Sequence, residues 1–201
     1  PAQLEGLTGS PPLAVLPECR PASLLPLQPS PEALNAAHNL RLRVRSAMPV
    51  PPVVVAVTSP ANADGKSTCA GLLAAASARC GVRTLLIDAN LRNPAAGRLF
   101  GLSPQDPAPV LASAEALARA AQPCAQANLD VIALRPAPDA AAGMFERADW
   151  KKLFDSLRTR YGLVLVDLPG VEVGHESVLA AAKADAALVV VRSGASSPQR
   201  L

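Results

Sequence analysis

The stretch that most restricts this chain is Val53-Val54-Val55-Ala56-Val57-Thr58, followed at once by Ser59-Pro60-Ala61-Asn62-Ala63-Asp64-Gly65-Lys66-Ser67-Thr68. A β-branched run without polar alternation reads as a strand buried on both faces, and such strands belong to parallel sheets covered by helices. The polar loop then opens a helix expected from about Lys66 to Arg79, with Leu72, Leu73 and Ala76 on one face and Gly81 as its stop. The buried-strand signature returns at Thr84-Leu85-Leu86-Ile87 ending at Asp88, at 129–134, at Leu163-Val164-Leu165-Val166 ending at Asp167, and at 187–191. Between these runs Trp150, Leu153, Phe154 and Leu157 recur at i, i+3, i+4 and i+7, an amphipathic helix. Val178 and Leu179 are placed on a further helix. Strands alternating with helices need crossover connections, so the expected class is α/β, a mostly parallel sheet with helices on both faces. Half the residues are hydrophobic but only 2% are aromatic, so small aliphatics must fill the core, which suits helices packed closely on a sheet.

Ligands of such sheets lie at the carboxyl ends of the strands, and the polar residues of interest fall there. The first N–H groups of a helix have no partner within it and attract anions. In the loop Asn62-Ala63-Asp64-Gly65-Lys66-Ser67-Thr68, Gly65 lets the backbone approach phosphates, Lys66 can reach β- and γ-phosphates, and the Ser67 hydroxyl can ligate Mg²⁺. The loop departs from G-x-x-x-x-G-K-[ST], because Pro60 stands where the first glycine would be. The competing reading is a capped helix with an exposed lysine. Asp88 can hold Mg²⁺ through water or accept a proton, or else cap the next helix. Asp167, after four apolar residues, has the Walker-B pattern and orients a Mg²⁺ shell. Lys66, Asp88 and Asp167 are therefore the candidate catalytic residues, Ser67, Asp88 and Asp167 the candidate metal ligands, and ATP or ADP with Mg²⁺ the expected cofactors.

Residues 1–30 are rich in Pro, Leu and Ser and read as a flexible, extended tail. Ser30-Pro31-Glu32 starts a helix that runs to about Arg45, where Pro49, Pro51 and Pro52 end it. The ATP-binding domain is expected over 31–201. The formal charge of +3 gives no footprint for nucleic acid, and Arg41, Arg43 and Arg45 read as a solvated helix face. Cys19, Cys69, Cys80 and Cys124 lack metal-ligand spacing. No apolar run in this sequence approaches the ~18 residues that span a bilayer, and no basic–apolar signal-peptide pattern is read in it. The expected place is cytoplasmic, with any membrane link through a partner.

The motifs at Val57-Thr58-Ser59-Pro60, Gly65-Lys66-Ser67-Thr68, 85–94 and Arg98-Leu99-Phe100-Gly101-Leu102, with 161–169 and 184–194, resemble the bacterial tyrosine kinases. These are the ATPase parts of polysaccharide co-polymerases, similar to the MinD/ParA class of P-loop proteins. The resemblance runs over residues 32–201. It implies a P-loop fold, Walker A at Lys66, Ser67 and Thr68, Walker A′ at Asp88, Walker B at Asp167, and tyrosine phosphorylation in exopolysaccharide or capsule synthesis. It also implies a membrane-embedded co-polymerase or activator as partner. Several positions depart from the family. Asn90 replaces the second acid of Walker A′. Glu32 matches the subunit-joining E-x-x-R-x-x-R, but Asn35 and His38 replace both arginines. The isolated domain is accordingly expected to be mainly a monomer, with a ring possible on a partner. The family's terminal tyrosine cluster is missing, so the chain is expected to be truncated at its C-terminus. The single tyrosine, Tyr161, reads as packing and His175 as helix-start surface. A pseudokinase acting as a nucleotide switch and a MinD/ParA-like ATPase are the alternatives, the second weakened because the loop lacks that class's extra lysine.

Overall fold

The computed structural model describes residues 5, 11–18, 27–48, 50–174 and 177–193. Helix α1, Pro31–Ala47, starts where the sequence places it. The Ser30 hydroxyl accepts from the Ala33 N–H, and Pro31 fills a position whose N–H would have no helical partner. Then come β1 (Val53–Thr58), α2 (Lys66–Arg79) and β2 (Thr84–Asp88). Three short helices follow, α3 (Ala96–Phe100), α4 (Pro107–Leu111) and α5 (Ala114–Arg119), the last two capped by Asp106 and Ser113. The remaining elements are β3 (Gln122–Pro123), β4 (Leu129–Ile132), α6 (Ala141–Arg147), α7 (Trp150–Arg158), β5 (Leu163–Asp167), α8 (Ser177–Ala181) and β6 (Ala186–Val189). His175 lies outside the described residues, as do Cys19 and Pro49.

The six strands are ordered β3-β4-β2-β5-β1-β6. Every pairing is parallel except β3 with β4, and the proline of β3 sits at that sheet edge, where a missing N–H costs least. The fold is thus an α/β sheet, mostly parallel, with helices on both faces. Strand alternation divides the core. Val54, Ala56, Leu85, Ile87, Val164 and Val166 meet Leu117, Phe145, Trp150, Phe154 and Leu157 on one face. Val55, Val57, Leu86 and Leu165 meet Cys69, Ala70, Leu73 and Ala74 of α2 on the other.

Leu72, Leu73 and Ala76 do not share one face. Leu73 packs on the sheet, whereas Leu72 and Ala76 pack against Ala33 and Ala37 of α1. A helix clamped between a sheet and a second helix is apolar nearly all round and has no single stripe. The strand expected over 129–134 stops at Ile132. Leu134 continues as an isolated bridge to Gln105. Tyr161 packs as expected: it is 2% exposed, its hydroxyl donates to Asp130 Oδ2 at 2.7 Å, and Arg83 and Arg160 lie over its ring.

Residues 11–18 have no helix or strand. Ala14 and Leu16 turn inward against the α1–α2 side, and Arg192, just past β6, meets Glu18 at 2.7 Å. The Leu27 N–H donates to the Leu99 carbonyl of α3 at 2.7 Å. Among the described residues, no helix is long and apolar enough to cross a membrane.

Candidate functional site

The loop between β1 and α2 is held by its own short bonds. Thr58 Oγ1 donates to the Pro169 carbonyl at 2.9 Å, Ser59 Oγ to the Ala61 carbonyl at 2.6 Å, and the Ala61 N–H to Asp64 Oδ2 at 3.0 Å. The Asp64 carboxylate is therefore turned back into the loop, while Asn62, Ala63 and Gly65 are exposed. Gly65 caps α2 at φ 91°, a left-handed conformation natural to glycine, and no side chain caps the helix. The N–H groups of Lys66, Ser67 and Thr68 at the start of α2 thus have no acceptor within the helix, and the Cys69 N–H is the first to find one, the Gly65 carbonyl at 2.9 Å.

The back of this loop rests on the segment after β5. The Val171 N–H donates to the Ser59 carbonyl at 3.0 Å and the Glu172 N–H to the Pro60 carbonyl at 3.3 Å. A Cβ on Gly170 would lie 3.0 Å from the Ala61 carbonyl carbon and oxygen. Gly170 is a site residue that motif reading did not single out. The glycine following Asp167-Leu168-Pro169 was the available signal.

Asp88 and Asp167 are register partners at the ends of adjacent parallel strands. Because side chains alternate, both carboxylates project on the face that carries α2. Both are buried, as is Lys66. Asp88 Oδ2 accepts from the Ala95 and Ala96 N–H groups at 2.8 and 2.6 Å, so this residue does cap the following helix. Its Oδ1 is left over, and neither oxygen of Asp167 accepts a well-formed hydrogen bond. Burial, then the neighbouring Asp167 charge, pushes Asp88 up to about 8. Burial pushes Asp167 up to about 6, while the Ser67 hydroxyl and the Lys66 charge pull the other way. The two titrate as a pair.

Three buried carboxylate oxygens without partners are costly unless something positive meets them. Together with Ser67 they form an all-oxygen set of the kind a hard divalent cation prefers. Among the described residues no group of three or more His, Cys, Asp or Glu side chains gathers. Asn90, 3% exposed, uses its Oδ1 to accept from the Asn93 N–H at 3.3 Å and closes a turn. Cys69 is buried beside Asp167 and pushed up to about 12, so it is an inert thiol.

No family model matches the chain. A tyrosine-protein kinase of Bacillus subtilis, YwqD, is 30% identical over 141 residues, covering 70% of this chain and 60% of that protein. The chain therefore spans less than two thirds of that relative's length. The kinase domain of the Escherichia coli tyrosine kinase ETK superposes with a TM-score of 0.84 at 23% identity, over 98% of this chain and 84% of that one. The septum site-determining protein MinD of Pyrococcus horikoshii, complexed with Mg-ADP, superposes with a TM-score of 0.57 at 19% identity, over 69% and 57% of the two chains. In sequence and fold, the chain is a homologue of the bacterial tyrosine-protein kinases, built on the P-loop ATPase fold that MinD shares.

Proposed function

We propose that the chain binds ATP or ADP with Mg²⁺ and transfers the γ-phosphoryl group to a tyrosine of a protein. The observation that carries the reading is the set of three unpartnered, buried carboxylate oxygens of Asp88 and Asp167 beside Lys66 and Ser67. The backbone N–H groups of Asn62, Ala63, Asp64, Gly65, Lys66, Ser67 and Thr68 cradle the phosphates, and the Lys66 ammonium sits on the β- and γ-phosphates. Ser67 and Asp167 would hold the cation directly and Asp88 through a water, and when bound the cation would neutralise charge developing on the phosphates. In transfer, the acceptor's phenol oxygen bonds to the γ-phosphorus as the bond to the β–γ bridging oxygen breaks. ADP leaves, and Asp88 Oδ1 takes the phenol proton. The resemblance supports a setting in exopolysaccharide or capsule synthesis at the inner face of the cell membrane, through a membrane-embedded activator.

One observation favours a second reading, a nucleotide-dependent switch with weak kinase activity. The family's second Walker A′ acid is Asn90 here, and its side-chain oxygen is spent on its own turn. The primary test is titration of a fluorescent nucleotide with and without Mg²⁺. Lys66→Ala should weaken binding at least about tenfold, the effect of losing one charge-assisted contact. Equal affinities would show that the loop is not the nucleotide site.

A further inference from the structure

Charge is divided unevenly between the two ends of the sheet. Helices α1, α2 and α7 end, and strands β1, β2 and β5 begin, at the end opposite Asp88, Asp167 and the loop before α2. At that amino end lie Arg41, Arg43 and Arg45 in the last turns of α1, Arg79 closing α2, and Arg83 and Arg160 just ahead of β2 and β5. Among the described residues none of these six arginines is in an ion pair. The carboxylates at this end are already engaged: Asp155 by Lys151 and Arg158, Asp185 by Arg158, and Asp130 by the Tyr161 hydroxyl. All six but Arg41 are exposed, and Arg41 Nε is shielded from water without a partner.

A cation in the last turn of a helix complements its dipole. That accounts for one arginine per helix, Arg45 and Arg79. It does not account for three within five residues of α1, or for the two that stand beyond their helices. An unneutralised excess of this kind draws anions. Two aliphatic side chains project among these arginines: Leu42 on α1 is 52% exposed, and Val50, just beyond it, 79%. Guanidinium groups flanking projecting aliphatics match the boundary of a bilayer, where cations meet lipid phosphates and aliphatic groups enter the acyl edge. Nucleic acid fits less well, since among the described residues no aromatic side chain is exposed to stack on a base. We infer that the amino end of the sheet docks directly on an anionic lipid surface. This goes beyond the kinase reading and needs no protein partner. A molecule docked in this way turns the carboxyl ends of its strands, with Asp88 and Asp167, away from the lipid.

The test uses the full chain and protein-free vesicles, made either of phosphatidylcholine or of phosphatidylcholine mixed with phosphatidylglycerol, with co-sedimentation as the readout. The chain should sediment with the phosphatidylglycerol vesicles only, and less so as salt rises. Arg43→Gln combined with Arg45→Gln should weaken binding by about fivefold for each charge lost. Leu42→Ser combined with Val50→Ser should weaken it as well, while leaving retention on duplex DNA as it was. Arg98→Gln, at an exposed position on α3 near the other end of the sheet, should leave vesicle binding unchanged. Urea midpoints report that each variant is folded. No binding to phosphatidylglycerol vesicles at low salt would overturn the inference. So would binding that the Arg43 and Arg45 substitutions leave unmoved, or that Arg98→Gln weakens equally, which would reduce the contact to net charge. Binding that needs the arginines but ignores Leu42 and Val50, with equal affinity for duplex DNA, would reveal a general polyanion surface and overturn the lipid assignment.

Discussion

On the proposed reading, Asp88 and Asp167 are the residues on which the chemistry and the stability of the chain pull in opposite directions. Both bind a proton more tightly than an ordinary carboxylate, whose value is about 4. For Asp88 the value is about 8, raised by burial and by Asp167. The folded chain therefore holds more protons than the unfolded chain between about pH 4 and pH 8, and stability without metal or nucleotide falls as pH rises across that window. Urea midpoints measured in EDTA should decline from pH 5 to pH 8. Asp88→Asn should flatten that slope and stabilise the protein at pH 8 by on the order of 1–3 kcal/mol. A midpoint that climbs with pH would contradict the paired-carboxylate account. Asn90 is the other decisive residue. A negative charge facing a cation in a low-dielectric site is worth about 2–4 kcal/mol in the transition state. Asn90→Asp, which keeps the acceptor for the Asn93 N–H, should accordingly raise phosphorylation of a supplied tyrosine peptide. Robust wild-type turnover that the substitution leaves unmoved would remove Asn90 from the explanation.

The elements that place the site are also the ones the sequence makes legible. β1, β2 and β5 announce themselves as apolar runs ending in Thr58, Asp88 and Asp167, and α2 opens at Gly65. What escapes is short or long-range. Helices α3 to α6 have five to seven residues, too few for a helical period to emerge. The burial of α2 on two sides hides its orientation. The packing of Gly170 against Ala61 joins positions more than a hundred residues apart and leaves no local trace. The loop between β1 and α2 itself carries strain that can be tested. Ala63 sits at φ 65° and Gly65 at φ 91°, and a side chain in left-handed backbone costs about 1–2 kcal/mol. Ala63→Gly should raise unfolding stability by about 1 kcal/mol, offset partly by the entropy glycine gains when unfolded. Gly65→Ala should lower it by about 1 kcal/mol or more even though its Cβ would have open space. Opposite signs in a denaturant titration are the expected signature, and two substitutions that shift the midpoint alike would refute it.

At the scale of the molecule, α1 is the surface on which assembly would turn. Asn35 is exposed, while His38 is half-buried, with its Nδ1 3.9 Å from Cys80 Sγ at the end of α2. Neither offers the guanidinium that the resemblance implies for the two subunit-joining positions. Arg43 and Arg45 are exposed further along the helix, and Arg41 is half-buried. Light scattering of the isolated chain at micromolar concentration should give a monomer with or without Mg-ATP. A stable octamer-sized species would show that assembly does not depend on those two arginine positions. The contact between Glu18 and Arg192 has a separate consequence. It brings the leading segment and the far end of the last strand to one corner of the sheet. A body anchored through either end hangs from that same corner, so its bearing toward the anchor is the same for both. Both partners of the clasp are half-exposed or more, and such pairs contribute about 0–1 kcal/mol. Tension between the two ends would open the clasp first and let the leading strap peel away, while the strands bearing Asp88 and Asp167 stay paired.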